Sequence, residues 1–181
     1  DVDNTKLKYE NEYKNGEMHG KGKEYYENGN LKFEGEYING NINGKGKEYY
    51  ENGILKYEGE LFHYQRKQGK GKLYNEKGEL TFEGEFYDDK ILNGKGKEYF
   101  ENERDNEGNL ILKYEGEYHN GKKSGKGKEY NQKGQLISEG IFLDGELCEG
   151  VIKDYSEEGK IIAEGEIKGG KQNGIVKISN S

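Results

Sequence analysis

Lys32-Phe33-Glu34-Gly35-Glu36-Tyr37, followed by Gly44-Lys45-Gly46-Lys47-Glu48-Tyr49, forms a block that recurs along nearly the whole chain. The glycine of the Glu-Gly step aligns the copies, which lie about 24 or 25 residues apart except for one longer step. The aligned positions are Asn11, Gly35, Gly59, Gly84, Gly116, Gly140 and Gly165. The sequence therefore predicts one array of seven repeats, with approximate bounds 8–31, 32–55, 56–80, 81–112, 113–136, 137–161 and 162–178.

The composition alone would be typical of a disordered chain, because 29% of the 181 residues are hydrophobic and 36% are charged. The repeat pattern argues for a folded chain instead. Most of the 16 tyrosines and 6 phenylalanines occupy fixed repeat positions and supply the apolar area that aliphatic residues lack. A single repeat buries too little of this surface to offset the entropy of ordering, so we expect neighbouring repeats to stabilise one another.

The charged residues alternate in sign and give a formal net charge of −7. This pattern argues against a nucleic-acid partner and does not favour an anionic membrane. The sequence has no apolar run long enough to span a membrane and no signal peptide in the residues given. If Asp1 arose by processing, we expect an exported or cell-surface protein, and otherwise a cytoplasmic one. Cys148 is the only cysteine, which excludes an internal disulfide and argues against a cysteine zinc site.

The spacing of apolar residues within a repeat predicts β-strands. Phe33 and Tyr37 flank Gly35 at a period of two, whereas Glu34 and Glu36 occupy the alternate positions. The second strand of each repeat alternates in the same way, with Gly44, Gly46 and Tyr50 on one face and Lys45, Lys47 and Tyr49 on the other. One face should therefore carry aromatic rings lying on glycines, and the other a ladder of glutamate and lysine.

The dipeptides Asn28-Gly29 and Asn52-Gly53 are strong hairpin signals. A two-residue turn at Asn52-Gly53 predicts four cross-strand pairs: Tyr50 with Leu55, Gly46 with Gly59, Lys47 with Glu58, and Lys45 with Glu60. Within the repeat, Gly35 should pair with Gly46 and Tyr37 with Gly44, across a loop at 38–43. The predicted fold is all-β, an elongated single-layer antiparallel meander of seven β-hairpin repeats.

The stretch from Tyr114 to Lys128 resembles the MORN (membrane occupation and recognition nexus) repeat. The stretch from Tyr50 to Leu55 is more similar to the bacterial-type variant of that repeat. His19 matches the usual form of the step before Gly-Lys-Gly, whereas Asn43, Asn93, Ser124 and Asn173 depart from it. The resemblance implies a non-catalytic hairpin array that serves as a scaffold or protein-binding module. Members of the family have also been described as lipid binders.

No catalytic, cofactor-binding or metal-binding residue is predicted, and we expect a protein that is not an enzyme. His19, His63 and His119 fall at different repeat phases, and no histidine lies near Cys148 in the sequence. The Gly-Lys-Gly steps resemble phosphate loops only superficially, because no helix follows them. The stretch 105–108 is acidic but lacks the alternating ligands of a calcium loop.

The connection 101–112 is seven residues longer than its counterparts, with five extra residues before Gly108 and two after it. It predicts a protruding hairpin formed by Arg104, Asp105, Asn106, Glu107 and Gly108. The alternative is an insertion that the fold merely tolerates, since long surface loops are thermodynamically inexpensive.

The last two repeats become apolar on both faces. Glu or Lys is replaced by Ile141, Val151 and Ile175, and glycine is replaced by Ile152 and Val176. Two explanations stay open. The final strands curl over and cap the array, or they form a surface for a partner or for a homodimer through the C-terminal repeats.

The leading functional hypothesis is a non-enzymatic scaffold whose tyrosine-lined face binds a protein partner of unknown identity. The candidate surface comprises Tyr37, Tyr50, Tyr57, Tyr114 and Tyr118 together with the apolar residues of the last two repeats. The alternative is a peripheral membrane or anionic-lipid binder, which would need lysines gathered on one edge. An enzyme is expected only if a catalytic domain lies outside this chain.

Overall fold

The computed structural model describes residues 8–63 and 66–178, with side chains for all of these except 66, 101–102 and 175–178. The described part consists of strands joined by turns and contains no helix, which confirms the predicted antiparallel β-meander. The strands are β1 (Tyr9–Lys14), β2 (Glu17–Tyr25), β3 (Leu31–Ile38), β4 (Asn41–Tyr49), β5 (Leu55–Phe62), β6 (Arg66–Tyr74), β7 (Leu80–Tyr87), β8 (Lys90–Arg104), β9 (Leu110–His119), β10 (Lys122–Tyr130), β11 (Leu136–Leu143), β12 (Glu146–Tyr155), β13 (Ile161–Lys168) and β14 (Lys171–Ile178).

The chain divides into two compact units, an N-terminal unit (Asp1–Ile91) and a C-terminal unit (Leu92–Ser181). Within each unit the strands pair in chain order, and the neighbouring strands run antiparallel. The dividing point lies near the start of β8, inside the fourth predicted repeat. One array over the whole chain stays a prediction.

The hairpin inside a repeat is tighter than the sequence predicts. Gly35 pairs with Gly46 as expected, but Tyr37 pairs with Ile42 and not with Gly44. The predicted loop at 38–43 was wrong because Asn39-Gly40 forms a two-residue turn, with φ of 49° and 77°. Such a turn requires positive φ at both positions, which asparagine and glycine tolerate. The remaining residues, 43–45, form a bulge opposite one residue of β3.

The connection between repeats is longer than predicted. Gly46 pairs with Gly59, and the two predicted Lys–Glu pairs flank this step, but Tyr49 rather than Tyr50 lies opposite Leu55. The backbone N–H of Tyr50 donates to the carbonyl of Ile54 at 2.8 Å, so the turn spans 50–54. Only the glycine of Asn52-Gly53 has a positive φ, 84°, and a two-residue turn of the predicted type is excluded.

Aromatic rings lie on the glycines of neighbouring strands, as predicted. A Cβ added at Gly46 would lie 2.7 Å from Leu61 Cδ1 and 3.1 Å from Phe33 Cε2. One at Gly71 would lie 2.6 Å from Tyr57 Cε2. The buried hydrophobic residues on this face are Phe33, Tyr37, Ile42, Tyr57, Leu61, Phe82, Phe86, Tyr114, Tyr118 and Phe142. Glycine therefore supplies the space in which a single sheet buries its rings.

Ring contacts join each repeat to the next one along the chain. Tyr57 packs edge-on against Phe86, with ring centroids 5.5 Å apart. In the C-terminal unit, Tyr114 packs edge-on against Phe142 at 5.4 Å. The first ring of a repeat is thus covered by the second ring of its successor, which explains why a single repeat lacks a complete core.

The last two repeats exchange large and small side chains across this face. Ser138 and Ala163 stand where earlier repeats have a ring, and Ile152 stands where they have glycine. Ser138 pairs with Ile152, which also pairs with Gly165. Ile152 is half-buried and lies opposite the two small residues, so it acts as a packing residue in place of a ring.

Candidate interaction groove

Four of the tyrosines proposed from the sequence as a binding surface lie in the core. Tyr37, Tyr57, Tyr114 and Tyr118 are 6%, 0%, 0% and 8% exposed. A surface made of these rings is not accessible, because each ring packs flat against the backbone at glycines that have no side chain. The sequence pattern identifies the ring face correctly but does not show that the face is covered.

Tyr50 is half-buried and serves a connection between repeats. Its hydroxyl donates to the carbonyl of Tyr74 at 2.8 Å, and Tyr26 donates in the same way to the carbonyl of Tyr49 at 2.8 Å. Each of these tyrosines ties one inter-repeat turn to the next. Tyr50 therefore stabilises the array and offers little free surface.

The apolar residues of the last two repeats are divided between the two faces. Ile141 is 39% exposed and pairs with Lys126 on the charged face, where Val151 pairs with Glu139. The side chains of Ile175 and Val176 lie outside the described residues. A homodimer through these repeats stays a prediction.

The long connection of the fourth repeat forms an exposed hairpin. Its turn closes through the N–H of Asp105, which donates to the carbonyl of Asn109 at 2.9 Å. The Asp105 carboxylate accepts the N–H groups of Glu107 and Asn109 at 2.9 and 2.8 Å. Arg104 pairs with Leu110, so β8 and β9 continue up to this turn, with a shift of register between Tyr99 and Arg104. A functional role for this hairpin stays a prediction.

The charged face of the N-terminal unit carries an open groove of about 720 Å³ across β2–β7. Its floor is the backbone at one glycine per strand: Gly22, Gly35, Gly46, Gly59, Gly71 and Gly84. The walls are charged side chains on either side of this line. We name the lysines Lys21, Lys45 and Lys70 the outer lysine row, and Lys23, Lys47 and Lys72 the inner lysine row.

Carboxylates and tyrosines engage the inner side of the groove. Glu34 lies 3.8 Å from the ammonium of Lys47, and Lys72 lies 3.6 Å from Glu83. The Tyr49 hydroxyl donates to Glu34 at 2.8 Å, and the hydroxyls of Tyr74 and Tyr130 make the corresponding bonds to glutamate in their own repeats. Burial, followed by the bond to the carboxylate, raises the pKa of these three tyrosines to about 12.

Beside the outer lysine row, the carboxylates of Glu12, Glu36 and Glu60 contact the backbone and make no ion pair with that row. Glu12 accepts the N–H of Lys21 at 3.1 Å. In the C-terminal unit, Glu117 accepts the N–H of Lys126 at 3.0 Å and also lies 3.6 Å from the ammonium of Lys95. The carboxylate of Glu36 lies over the bulge at Gly44, whose φ is 126°. Glu60 lies over Gly69 in the same way. These carboxylates therefore stabilise the bulges.

This arrangement leaves the outer lysine row without ion pairs. Within residues 8–63 and 66–178, no described carboxylate lies within 4 Å of the ammonium groups of Lys21, Lys45 or Lys70. All three side chains are exposed and line the groove. The outer row therefore carries three ammonium groups without an ion pair, on a wall that Glu36, Glu60 and Glu85 also line. On the inner wall, Lys47 and Lys72 are paired with glutamate, whereas Lys23 is not within 4 Å of a described carboxylate.

A second set of charges lies on the ring face, and the sequence pattern did not predict it. The Lys67 ammonium lies 3.1 Å from Glu48 and 5.0 Å from the centroid of the Tyr57 ring. Lys123 lies 2.9 Å from Glu129 and stacks over Tyr114 at 4.5 Å. The sequence marks these two sites by a lysine at a position where other repeats have an apolar residue. Those apolar residues are Met18, Ile42 and Leu147. The stems of these lysines cover the rings.

The described part of the chain contains no cluster of three or more His, Cys, Asp or Glu residues that could hold a metal ion. None of its segments is a helix with the length and apolar character needed to cross a membrane.

A family model described as "MORN repeat" matches residues 33–54, 82–103 and 114–135, and one described as "MORN repeat variant" matches 18–39. These segments are MORN repeats. Each matched MORN segment begins at or next to the first ring of a repeat, and 33–54 extends through both strands to the end of the turn. No curated protein matches the chain. MORN repeats are a non-catalytic family of modules that interact with proteins or membranes.

Proposed function

We propose that this chain is a non-enzymatic scaffold that binds a segment of a protein partner in the groove of the N-terminal unit. The observation that supports the proposal is the glycine-floored groove of about 720 Å³, which is open and lined by charged groups at a regular spacing. The opposite face is filled by buried rings and offers no comparable access to those rings. Charged walls above a backbone floor favour a partner with polar side chains and a narrow cross-section.

A protein segment suits this groove better than a membrane surface. Each lysine of the groove has a glutamate as its cross-strand neighbour, as in the pair Lys45–Glu60, so no patch of uniform positive charge forms. An anionic bilayer is broad and attracts clustered basic residues, whereas the lysines here alternate with glutamates along both walls. We therefore place lipid binding second.

Affinity capture with charge-reversed variants tests the proposal. The immobilised chain is compared with Lys45→Glu/Lys70→Glu, which reverses charge in the groove. The matched control is Lys14→Glu/Lys160→Glu, which makes the same change in net charge at exposed positions outside the groove. We expect proteins retained by the wild type and by the control to be lost from the groove variant.

Co-sedimentation with vesicles separates the two classes of partner. We expect no binding to neutral vesicles and no binding to anionic vesicles that depends on Lys45 and Lys70. Retention of the same proteins by all three chains would contradict the groove as the binding site. Vesicle binding that the groove variant alone loses would replace the protein partner with a lipid.

A further inference from the structure

The outer lysine row gives the groove a preference for acidic ligands. Glu12, Glu36 and Glu60 are turned onto the bulges, so the neighbouring lysines keep exposed ammonium groups directed at the groove. On the opposite wall, the Glu34 and Glu58 carboxylates already accept tyrosine hydroxyls. A basic ligand would have to compete with these bonds, whereas an acidic ligand meets unpaired positive charge.

The spacing of the outer lysine row restricts the conformation of such a ligand. Lys21, Lys45 and Lys70 lie on β2, β4 and β6, which are alternate strands of the sheet. Adjacent strands are about 4.8 Å apart, so successive lysines are about 9.6 Å apart along the groove. A β-strand ligand presents the same face about every 6.8 Å and would fall out of step with the row.

A polyproline II helix has the matching period. It has three residues per turn and a rise of about 3.1 Å, so every third side chain returns to the same face after roughly 9.3 Å. Over three lysines the mismatch stays below about 1 Å, which flexible lysine side chains can absorb. The ligand backbone can lie close to the floor, because side chains at the floor positions would point to the opposite face: a Cβ added at Gly46 would meet Leu61 and Phe33.

We propose that the groove binds an acidic peptide in the polyproline II conformation, with a carboxylate at every third residue paired to Lys21, Lys45 and Lys70. The proposal rests on the proposed function, because it names the chemistry of the partner for the same groove. The net charge of −7 repels acidic ligands at long range, but at about 0.15 M salt this field is screened beyond roughly 8 Å. The local row then decides the binding.

Fluorescence anisotropy with labelled synthetic peptides tests this proposal at about 0.15 M salt. The probe is three repeats of Glu-Pro-Pro. The comparison peptides are three repeats of Lys-Pro-Pro and a peptide of equal charge with glutamate at every second position. We expect the Glu-Pro-Pro peptide to bind most tightly and the basic peptide not to bind.

Two matched triple variants locate the contact. Lys21→Gln/Lys45→Gln/Lys70→Gln removes the outer row, and Lys23→Gln/Lys47→Gln/Lys72→Gln removes the same charge from the same strands. Three exposed ion pairs correspond to about a tenfold change in Kd, so we expect the outer variant to weaken binding about tenfold and the inner variant by less than about twofold. Circular dichroism of both variants verifies that they remain folded.

Equal affinity for the two acidic spacings, or equal weakening by the two triple variants, would overturn the proposal. If no acidic peptide binds while the groove variant still loses captured proteins, the peptide chemistry is wrong and the proposed function stands. If peptides bind and neither triple variant weakens them, both the inference and the groove assignment fail. Anionic vesicles that bind through the outer row when the peptide does not would replace the peptide with a lipid.

Discussion

The two glycines of the Gly-Lys-Gly step answer different physical demands. Gly44 has a φ of 126°, a backbone region that residues with a Cβ rarely adopt, and it lies beneath the Glu36 carboxylate. Gly46 has an ordinary backbone conformation and lies beneath the rings. One glycine therefore shapes the bulge, and the other gives space to the core.

We predict that Gly46→Ala lowers the free energy of unfolding by roughly 1–3 kcal/mol, because the new methyl group overlaps Leu61 and Phe33. Gly44→Ala should lower it by about 1 kcal/mol through backbone strain alone. Lys47→Ala, the surface change at the residue after Gly46, should stay within about 0.5 kcal/mol. Urea unfolding of the three variants measures the order, and equal midpoints for Gly46→Ala and Lys47→Ala would refute the packing argument.

Asn11 occupies the aligned glycine position of the first repeat and disturbs the pattern there. Its Oδ1 atom is buried and has no hydrogen-bond partner among the described residues. The side chain lies over Gly22, where other repeats place a ring, and Tyr9 is 62% exposed.

Replacing Asn11 by glycine should stabilise the chain. Removing an unsatisfied buried polar atom should raise the free energy of unfolding by about 1–3 kcal/mol. Placing glycine in a strand lowers it by about 0.5–1 kcal/mol, which offsets part of that gain. We expect Asn11→Gly to gain about 1 kcal/mol in urea unfolding, with Asn43→Gly, an exposed position in the second repeat, showing no gain. A loss of stability in Asn11→Gly would show that the amide contributes favourably.

One pair of positions on alternate strands is charged in one repeat and apolar in another. Lys67 on β6 meets Glu48 on β4, and both are largely buried, with side chains 13% and 14% exposed. In the alignment of the repeats on their glycines, the residues at the corresponding positions one repeat further along are Leu73 and Leu92. The chain thus contains both an ionic and an apolar solution to the same packing problem.

We predict that Lys67→Ile alone destabilises by about 1–3 kcal/mol, because it leaves the Glu48 carboxylate buried without its partner. The double change Lys67→Ile/Glu48→Leu should recover most of that loss, since buried ion pairs can be replaced by apolar residues at little net change. A double-mutant cycle by urea unfolding measures the coupling. Additive effects of the two single changes would contradict it.

The tyrosine hydroxyls that bridge adjacent strands predict a loss of stability at alkaline pH. The pKa of Tyr49, Tyr74 and Tyr130 is raised to about 12, against about 10 in the unfolded chain. Because the folded state holds the proton more tightly, their contribution is complete below about pH 10 and is lost as the pH rises to about 12.

Unfolding curves across this pH window test the contribution. The triple variant Tyr49→Phe/Tyr74→Phe/Tyr130→Phe should lose less stability between about pH 10 and 12 than the wild type. An identical decline in both chains would assign the alkaline sensitivity to other groups.

Most of the fold follows from the sequence because a period of two is unambiguous when rings and glycines share one parity. Gly35 opposite Gly46 and Lys47 opposite Glu58 are both found. The turns were less predictable, since an Asn-Gly dipeptide does not reveal whether asparagine adopts positive φ: Asn39 does and Asn52 does not. The charge distribution of the groove could not be predicted, because each carboxylate can bond to a backbone N–H, a tyrosine hydroxyl or a lysine. The sequence does not show which of these it contacts.

At the scale of the molecule, packing has a direction along the chain. Tyr57 is covered by Phe86 and Tyr114 by Phe142, each from the following repeat. A change in one repeat should therefore weaken the repeat before it.

Phe142→Ala tests this direction. We expect a loss of about 3–5 kcal/mol, since Phe142 is 1% exposed, with hydrogen exchange accelerated in β9 and β10 more than in β13 and β14. Leu143→Ala, at a neighbouring side chain that is 60% exposed, is the control and should leave exchange unchanged. Faster exchange mainly in β13 and β14 would reverse the direction that we infer.

The same direction bears on the synthesis of the chain. Tyr57 leaves the ribosome before the residues that cover it, and at about 5–20 residues per second the ring waits on the order of seconds for Phe86. Each newly made repeat shields the one made before it, so uncovered rings do not accumulate as the nascent chain lengthens. The last two repeats have Ser138 and Ala163 at the position of the first ring. They therefore expose no ring there that a later repeat would need to cover.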